Sequence, residues 1–162
     1  MQGLLKLTEG RAPIDAELFA LDLYSRATVQ GIALFILPQT EKVLQRLAQL
    51  PHFAALIQSF LAHTQVAQPT RYFKRWARRL RDYGFTKEDA DVLALATFGT
   101  NQNADILGMH VVATFDQPMI NQWTAQQEAI QERLSNMQRN ITVPYRHAPL
   151  PKVQRPEYIL GL

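Results

Sequence analysis

Between Gly84 and Asp116 the chain reads as an acid-tipped apolar helix followed by a short buried strand that ends on another acid. Thr86-Lys87-Glu88-Asp89-Ala90-Asp91 opens the helix, and Val92-Leu93-Ala94-Leu95-Ala96 continues it almost without polar side chains. One helix later comes Val111-Val112-Ala113-Thr114-Phe115-Asp116. A strand apolar on both faces has to be covered on both faces, which is the situation of a parallel sheet between helices. Ligands of such sheets sit outside the carboxyl ends of the strands, where Asp116 is expected. Asp89, at the start of the preceding helix, is placed to face it. Two carboxylates on rigid elements are the beginning of a hard-cation site.

The rest of the chain repeats this alternation. Gly3-Leu4-Leu5-Lys6-Leu7 reads as a first strand. Ile14, Leu18, Leu21 and Tyr24 recur at helical spacing, which predicts a helix from Ile14 to Val29. Ile32 to Leu37 reads as a strand, Pro38 to Leu50 as a helix stopped by Pro51, and His52 to His63 as another helix. Thr70 opens a basic amphipathic helix that ends at Gly84, with Phe73, Trp76, Ala77 and Leu80 on one stripe. A turn or short helix is expected near Ala104–Leu107, a polar helix from Ala125 to Arg139, and a last short strand over Ile141–Val143. Strands that alternate with helices predict an α/β fold with a parallel sheet. Residues 1–143 read as one domain. Residues 144–162 hold four of the nine prolines and read as a tail, either an extended arm on the surface or mobile.

Composition removes several chemistries. The 162 residues include no cysteine, which excludes disulfides, thiolate nucleophiles and cysteine zinc sites, and fits a reducing, cytoplasmic setting. No apolar run reaches the roughly 20 residues that span a bilayer, so no membrane partner is expected. His52, His63, His110 and His147 lack ligand-like spacing, and there is no phosphate-binding glycine loop or nucleophile elbow. The net charge of +3 permits a polyanionic partner without requiring one.

Residues 84–116 resemble the PIN-domain family. Its helix motif, Asp-Ala before an alanine-rich apolar run, is matched by Asp89-Ala90 with Ala94 and Ala96, and its strand motif, an apolar run ending Thr-x-Asp, by Thr114-Phe115-Asp116. Gly108 closes the segment between them. The resemblance implies a three-layer α/β/α domain around a short, mostly parallel sheet of four or five strands. It implies Mg²⁺- or Mn²⁺-dependent cleavage of RNA, with Asp89 and Asp116 as metal ligands and Glu41 as a further catalytic acid. Two positions depart from the pattern. Leu7 stands where the family's first strand ends on an aspartate, and Val43 occupies the register expected for the glutamate, with Glu41 ahead of it. A site short of acids holds Mg²⁺ weakly or not at all. The resemblance therefore implies hydrolysis that is weakened or lost. The alternative is a non-catalytic module on the same fold, which binds RNA or a protein: an antitoxin-type partner or a second copy of the chain.

Both acids also have a purely structural reading. Thr86-x-x-Asp89 is the pattern of a capping box, and an acid there faces the positive end of the helix dipole. Asp116-Gln117-Pro118 fits the start of a further helix. The basic helix is equally two-sided. Arg71, Lys74, Arg75, Arg78, Arg79 and Arg81 are candidate phosphate contacts for single-stranded RNA, with Tyr72, Trp76 and Tyr83 as candidate stacking surfaces. The same pattern suits a solvated face whose aromatics belong to the core.

Overall fold

Short apolar runs bounded by helix starts yield strands of only two or three residues in the computed structural model, which describes residues 1–105 and 107–160. Helices and short strands alternate along the chain, so the fold is α/β. Its residues divide into two compact units, one built from Met1–Val66 and the segment from Arg155, the other from Ala67–Gln154.

The first unit runs α1 (Gln2–Thr8), α2 (Asp15–Gln30), β1 (Leu34–Ile36), α3 (Pro38–Leu47), α4 (Pro51–Ala62) and β2 (Thr64–Val66), and includes the last helix of the chain, Pro156–Leu160. Local chemistry sets these boundaries. Pro38 and Pro51 occupy the first helical positions, where a missing N–H loses no bond. Gly31 ends α2 in the left-handed region at φ 67°, and the N–H of Ile32 reaches back to the Ala27 carbonyl at 2.9 Å. That is the glycine-terminated helix end in which orphan carbonyls find donors. β1 and β2 pair in parallel, Leu34 with Thr64 and Ile36 with Val66, with α3 and α4 as the crossover between them. The core centres on Leu44, Phe53 and Ile57, with Met1, Leu5, Ile36 and Phe60 packed around it.

The expected first strand over Gly3–Leu7 is instead α1. Met1 and Leu5, four residues apart, both pack on the core, which is helical spacing. Gly3 is buried against α2, where an added Cβ would meet Leu21 at 2.8 Å. Lys6 is bonded to Glu17 at 2.8 Å, and Leu7 is 54% exposed.

The second unit contains β3 (Gln68–Pro69), α5 (Phe73–Arg81), α6 (Lys87–Phe98), β4 (Gly99–Thr100), β5 (Val111–Ala113), α7 (Gln117–Gln138), a 3-10 turn (Tyr145–His147) and β6 (Lys152–Gln154). β3 and β4 are antiparallel, and β5 pairs with β6 in parallel, Val112 opposite Val153. Among the described residues the strands thus form three two-stranded ladders, two of them parallel. α6 supplies the centre of this unit's core. Ala90, Leu93, Ala94 and Phe98 are fully buried, against Trp76 and Leu80 of α5 and Ile130 and Leu134 of α7.

Three sequence expectations shift here. α7 starts at Gln117, well before Ala125, because Asp116 caps it and Pro118 suits its first turn. Ile141–Val143 forms no strand, and Ile141 is buried in the core just past the end of α7. The proline-rich tail is not a featureless arm. It forms the 3-10 turn, the strand β6 held by Lys152 N–H to the His110 carbonyl at 2.8 Å, and the helix α8 over Pro156–Leu160. Val153, buried in the core, explains the attachment. The turn or short helix expected near Ala104–Leu107 includes Ile106, which lies outside the described residues, as do Gly161 and Leu162 of the tail.

Candidate nucleic-acid interface and the acids of the second unit

The two aspartates expected to hold a metal each begin a helix of the second unit. Thr86 is the N-cap of α6 and accepts from the Asp89 N–H at 3.1 Å. Its hydroxyl also donates to Asp89 Oδ2 at 2.8 Å. Asp116 is the N-cap of α7, and its Oδ1 accepts from the Met119 N–H at 3.0 Å. Thr114 Oγ1 accepts from the Asp116 N–H at 3.1 Å and fixes the turn out of β5. Each arrangement satisfies backbone donors that a helix start leaves orphaned. Asp116 is a capping residue, whereas the Asp89 carboxylate accepts from the Thr86 hydroxyl and not from the backbone N–H that a capping box would use.

Glu41 belongs to the first unit, in the first turn of α3. There it accepts from Gln45 Nε2 at 3.1 Å, one turn along the same helix. Asp105 is engaged with buried Asn101, whose amide donates to its carboxylate and accepts from its N–H. Among the described residues no three His, Asp or Glu side chains are grouped to hold a metal ion. Protein-bound Mg²⁺ keeps several waters and is held through one or two carboxylates. Asp89 and Asp116 each accept a hydrogen bond at a helix start, from the Thr86 hydroxyl and from the Met119 N–H.

The basic helix has a different character. Trp76 and Leu80 are wholly buried and Ala77 nearly so, which fixes the rotation of α5 about its axis. Trp76 Nε1 donates to Thr97 Oγ1 at 3.2 Å, and Thr97 in turn donates to the Leu93 carbonyl at 2.9 Å. A buried polar pair with both donors satisfied resists rotation of the helix. With this stripe inward, Arg71, Lys74, Arg75, Arg78, Arg79 and Arg81 are all exposed. One acid tempers them. Asp82 lies 3.8 Å from Arg79 and 3.9 Å from Arg133 of α7. Arg71, Lys74, Arg75, Arg78 and Arg81 have no ion-pair partner among the described residues. Arg133, far away in sequence, joins the cationic end of α5 without any local signal that announces it.

Charge is divided unevenly between the units. The second unit carries eleven Lys and Arg against eight Asp and Glu, the first six against six, so the whole net charge of +3 belongs to the second. Six of those eleven cations fall within residues 71–81.

The aromatics beside this face are committed elsewhere. Tyr72 meets Tyr145 edge-on at 5.1 Å and Phe98 at 6.0 Å, and the Arg71 guanidinium lies 5.5 Å from its ring centre. Tyr83 donates its hydroxyl to the Ala129 carbonyl at 3.3 Å. Trp76, expected as a candidate stacking surface, is a core residue. No helix among the described residues is long and apolar enough to cross a membrane. Comparison with protein-family models, with curated proteins and with solved structures finds no match to the chain.

Proposed function

We propose that this chain is a PIN-like protein whose phosphodiester hydrolysis is weakened or lost, and which binds RNA through its phosphates on the exposed face of α5. The observation that carries the proposal is the lock on α5: a buried Trp76–Leu80 stripe turns six cations outward, and five of them have no acidic partner among the described residues. A cationic row on a rigid helix neutralises phosphates and releases their counterions, which is the main source of sequence-independent affinity for nucleic acid. The three-layer architecture with one sheet of four or five strands belongs to the same proposal. It is supported by the parallel pairing of β1 with β2 across two helices and of β5 with β6 across α7. A cytoplasmic location is proposed with it, in keeping with the absence of cysteine.

The test is RNA binding by wild type and by the double variant Arg75→Glu, Arg78→Glu, followed by incubation of the wild-type complex with Mn²⁺. Binding that weakens in the variant, with the RNA left intact, is the expected result. Robust Mn²⁺-dependent cleavage that vanishes in Asp116→Asn would show a working metal centre instead.

A further inference from the structure

The geometry points to double-helical rather than single-stranded nucleic acid as the ligand of α5, and this rests on the phosphate-binding reading given above. Two independent features separate the forms. The first is the fate of the aromatics. Single strands are held by proteins that combine a basic groove with exposed rings on which bases stack. Among the described residues no ring on α5 or its flanks is fully exposed, and Tyr72, Phe73 and Tyr83 are half-buried against the core. Trp76 is wholly buried, Tyr72 is packed by Tyr145, Phe98 and Arg71, and Tyr83 is tied to Ala129. Phe115, 38% exposed, belongs to a different segment, between β5 and α7.

The second feature is the spacing of charge. Lys74, Arg78 and Arg81 follow one another at intervals of four and three residues, so they form one row along the helix. At 1.5 Å rise per residue that row is about 10.5 Å long. A duplex presents one phosphate charge per roughly 1.7 Å of its axis, hence about six charges over that length, against about three for one of its strands. A straight, rigid row without stacking partners gains most from the denser array.

The magnitudes make the order of affinities informative. With four phosphates neutralised by Lys74, Arg75, Arg78 and Arg81, the log–log salt slope is about −3.6 for a duplex and about −2.8 for a single strand. If the two affinities meet near 1 M salt, the duplex binds about sixfold tighter at 0.1 M. A single stacked base would strengthen the single strand by about 5- to 150-fold and reverse that order.

Fluorescence anisotropy with labelled RNA duplex, DNA duplex and single-stranded RNA of equal length and varied sequence tests the inference at about 0.1 M salt. The expected result is that both duplexes bind about sixfold tighter than the single strand, alike for different sequences, and that Arg75→Glu, Arg78→Glu weakens all three. Lys74→Gln, Arg81→Gln supplies a second, milder pair on the same row, with circular dichroism as the folding control. A single strand that binds as tightly as the duplexes or more so, and loses affinity in the α5 variants, overturns the duplex inference and leaves the phosphate-binding reading standing. Single-strand binding that falls in Phe115→Ala but not in the α5 variants overturns both. So does the absence of binding to all three ligands.

Discussion

Replacing Asp116 by alanine separates a capping aspartate from a metal-holding one by the sign of its effect. Asp116 Oδ1 accepts from the Met119 N–H at 3.0 Å, and Met119 is buried in the core of the second unit. Without the cap, that donor loses its partner and the first turn of a 22-residue helix loosens over a core side chain. An N-cap aspartate changed to alanine costs about 1 kcal/mol. The lost charge at the positive end of the helix adds roughly 0.5 kcal/mol at an exposed site. The sum, about 1.5 kcal/mol, lowers Tm by about 5 °C in a chain of this size. Asp116→Asn keeps a side-chain acceptor and gives up only the charge, so it should cost about 0.5 kcal/mol. Urea and thermal unfolding of the three proteins in EDTA measure both differences, with the denaturant slope as a check that the transition itself is unaltered. Carboxylates crowded for a metal repel one another when it is removed, so their loss stabilises the metal-free protein. An Asp116→Ala protein as stable as wild type or more so, together with a Tm that Mn²⁺ raises in wild type alone, would refute the capping account.

Two further substitutions probe the frame that carries the sites. Leu93 is wholly buried in the core of the second unit, and Leu93→Ala should cost about 2–5 kcal/mol in urea unfolding, where a loss below about 1 kcal/mol would mean that α6 is not central to that core. In the first unit, the hydrogen bond from Lys6 and then that from the Ile14 N–H hold the Glu17 carboxyl below its ordinary value of 4.5. A lowered pKa in the folded state contributes stability above the ordinary value that is lost as pH falls through and below it. Wild type should therefore lose Tm more steeply than Glu17→Gln on acidification below about pH 4.5, and the two curves should converge at the acid end; parallel curves would show that Lys6 does not favour the charged form.

Local signals were the part of this structure that could be read from sequence. Thr86 with Asp89, Gly31 and Pro51 each fix a boundary by chemistry within a few residues, and each sits where that chemistry predicts. The apolar run at 32–37 contains β1. Period failed at Gly3–Leu7, where so short a run fits a strand or a helix, and the burial of Gly3 against α2 decided for the helix. β6 was hidden for a different reason. A short strand in a proline-rich tail carries little pattern of its own, and its partner β5 lies some forty residues earlier. At the candidate site, residue type was legible and role was not. An acid at a strand end or a helix start looks the same in sequence whether it binds a metal or caps, and only the fold shows the bonds from Met119 and Thr86. The cationic face of α5 was legible because the spacing of Trp76, Ala77 and Leu80 sets the helix's rotation, although the helix spans Phe73–Arg81 rather than opening at Thr70 and Trp76 proved to be core.

Binding of nucleic acid by the α5 face through phosphates alone, as proposed above, is measured most directly by the salt dependence of binding. Between 50 and 200 mM salt, four phosphate contacts on a duplex predict a loss of affinity of about 150-fold in the wild type. The Arg75→Glu, Arg78→Glu variant should bind more weakly throughout and fall by only about 12-fold over the same range, because two contacts are gone. A variant with the wild-type slope and the wild-type affinity would show that this face is only solvated, and would contradict the account.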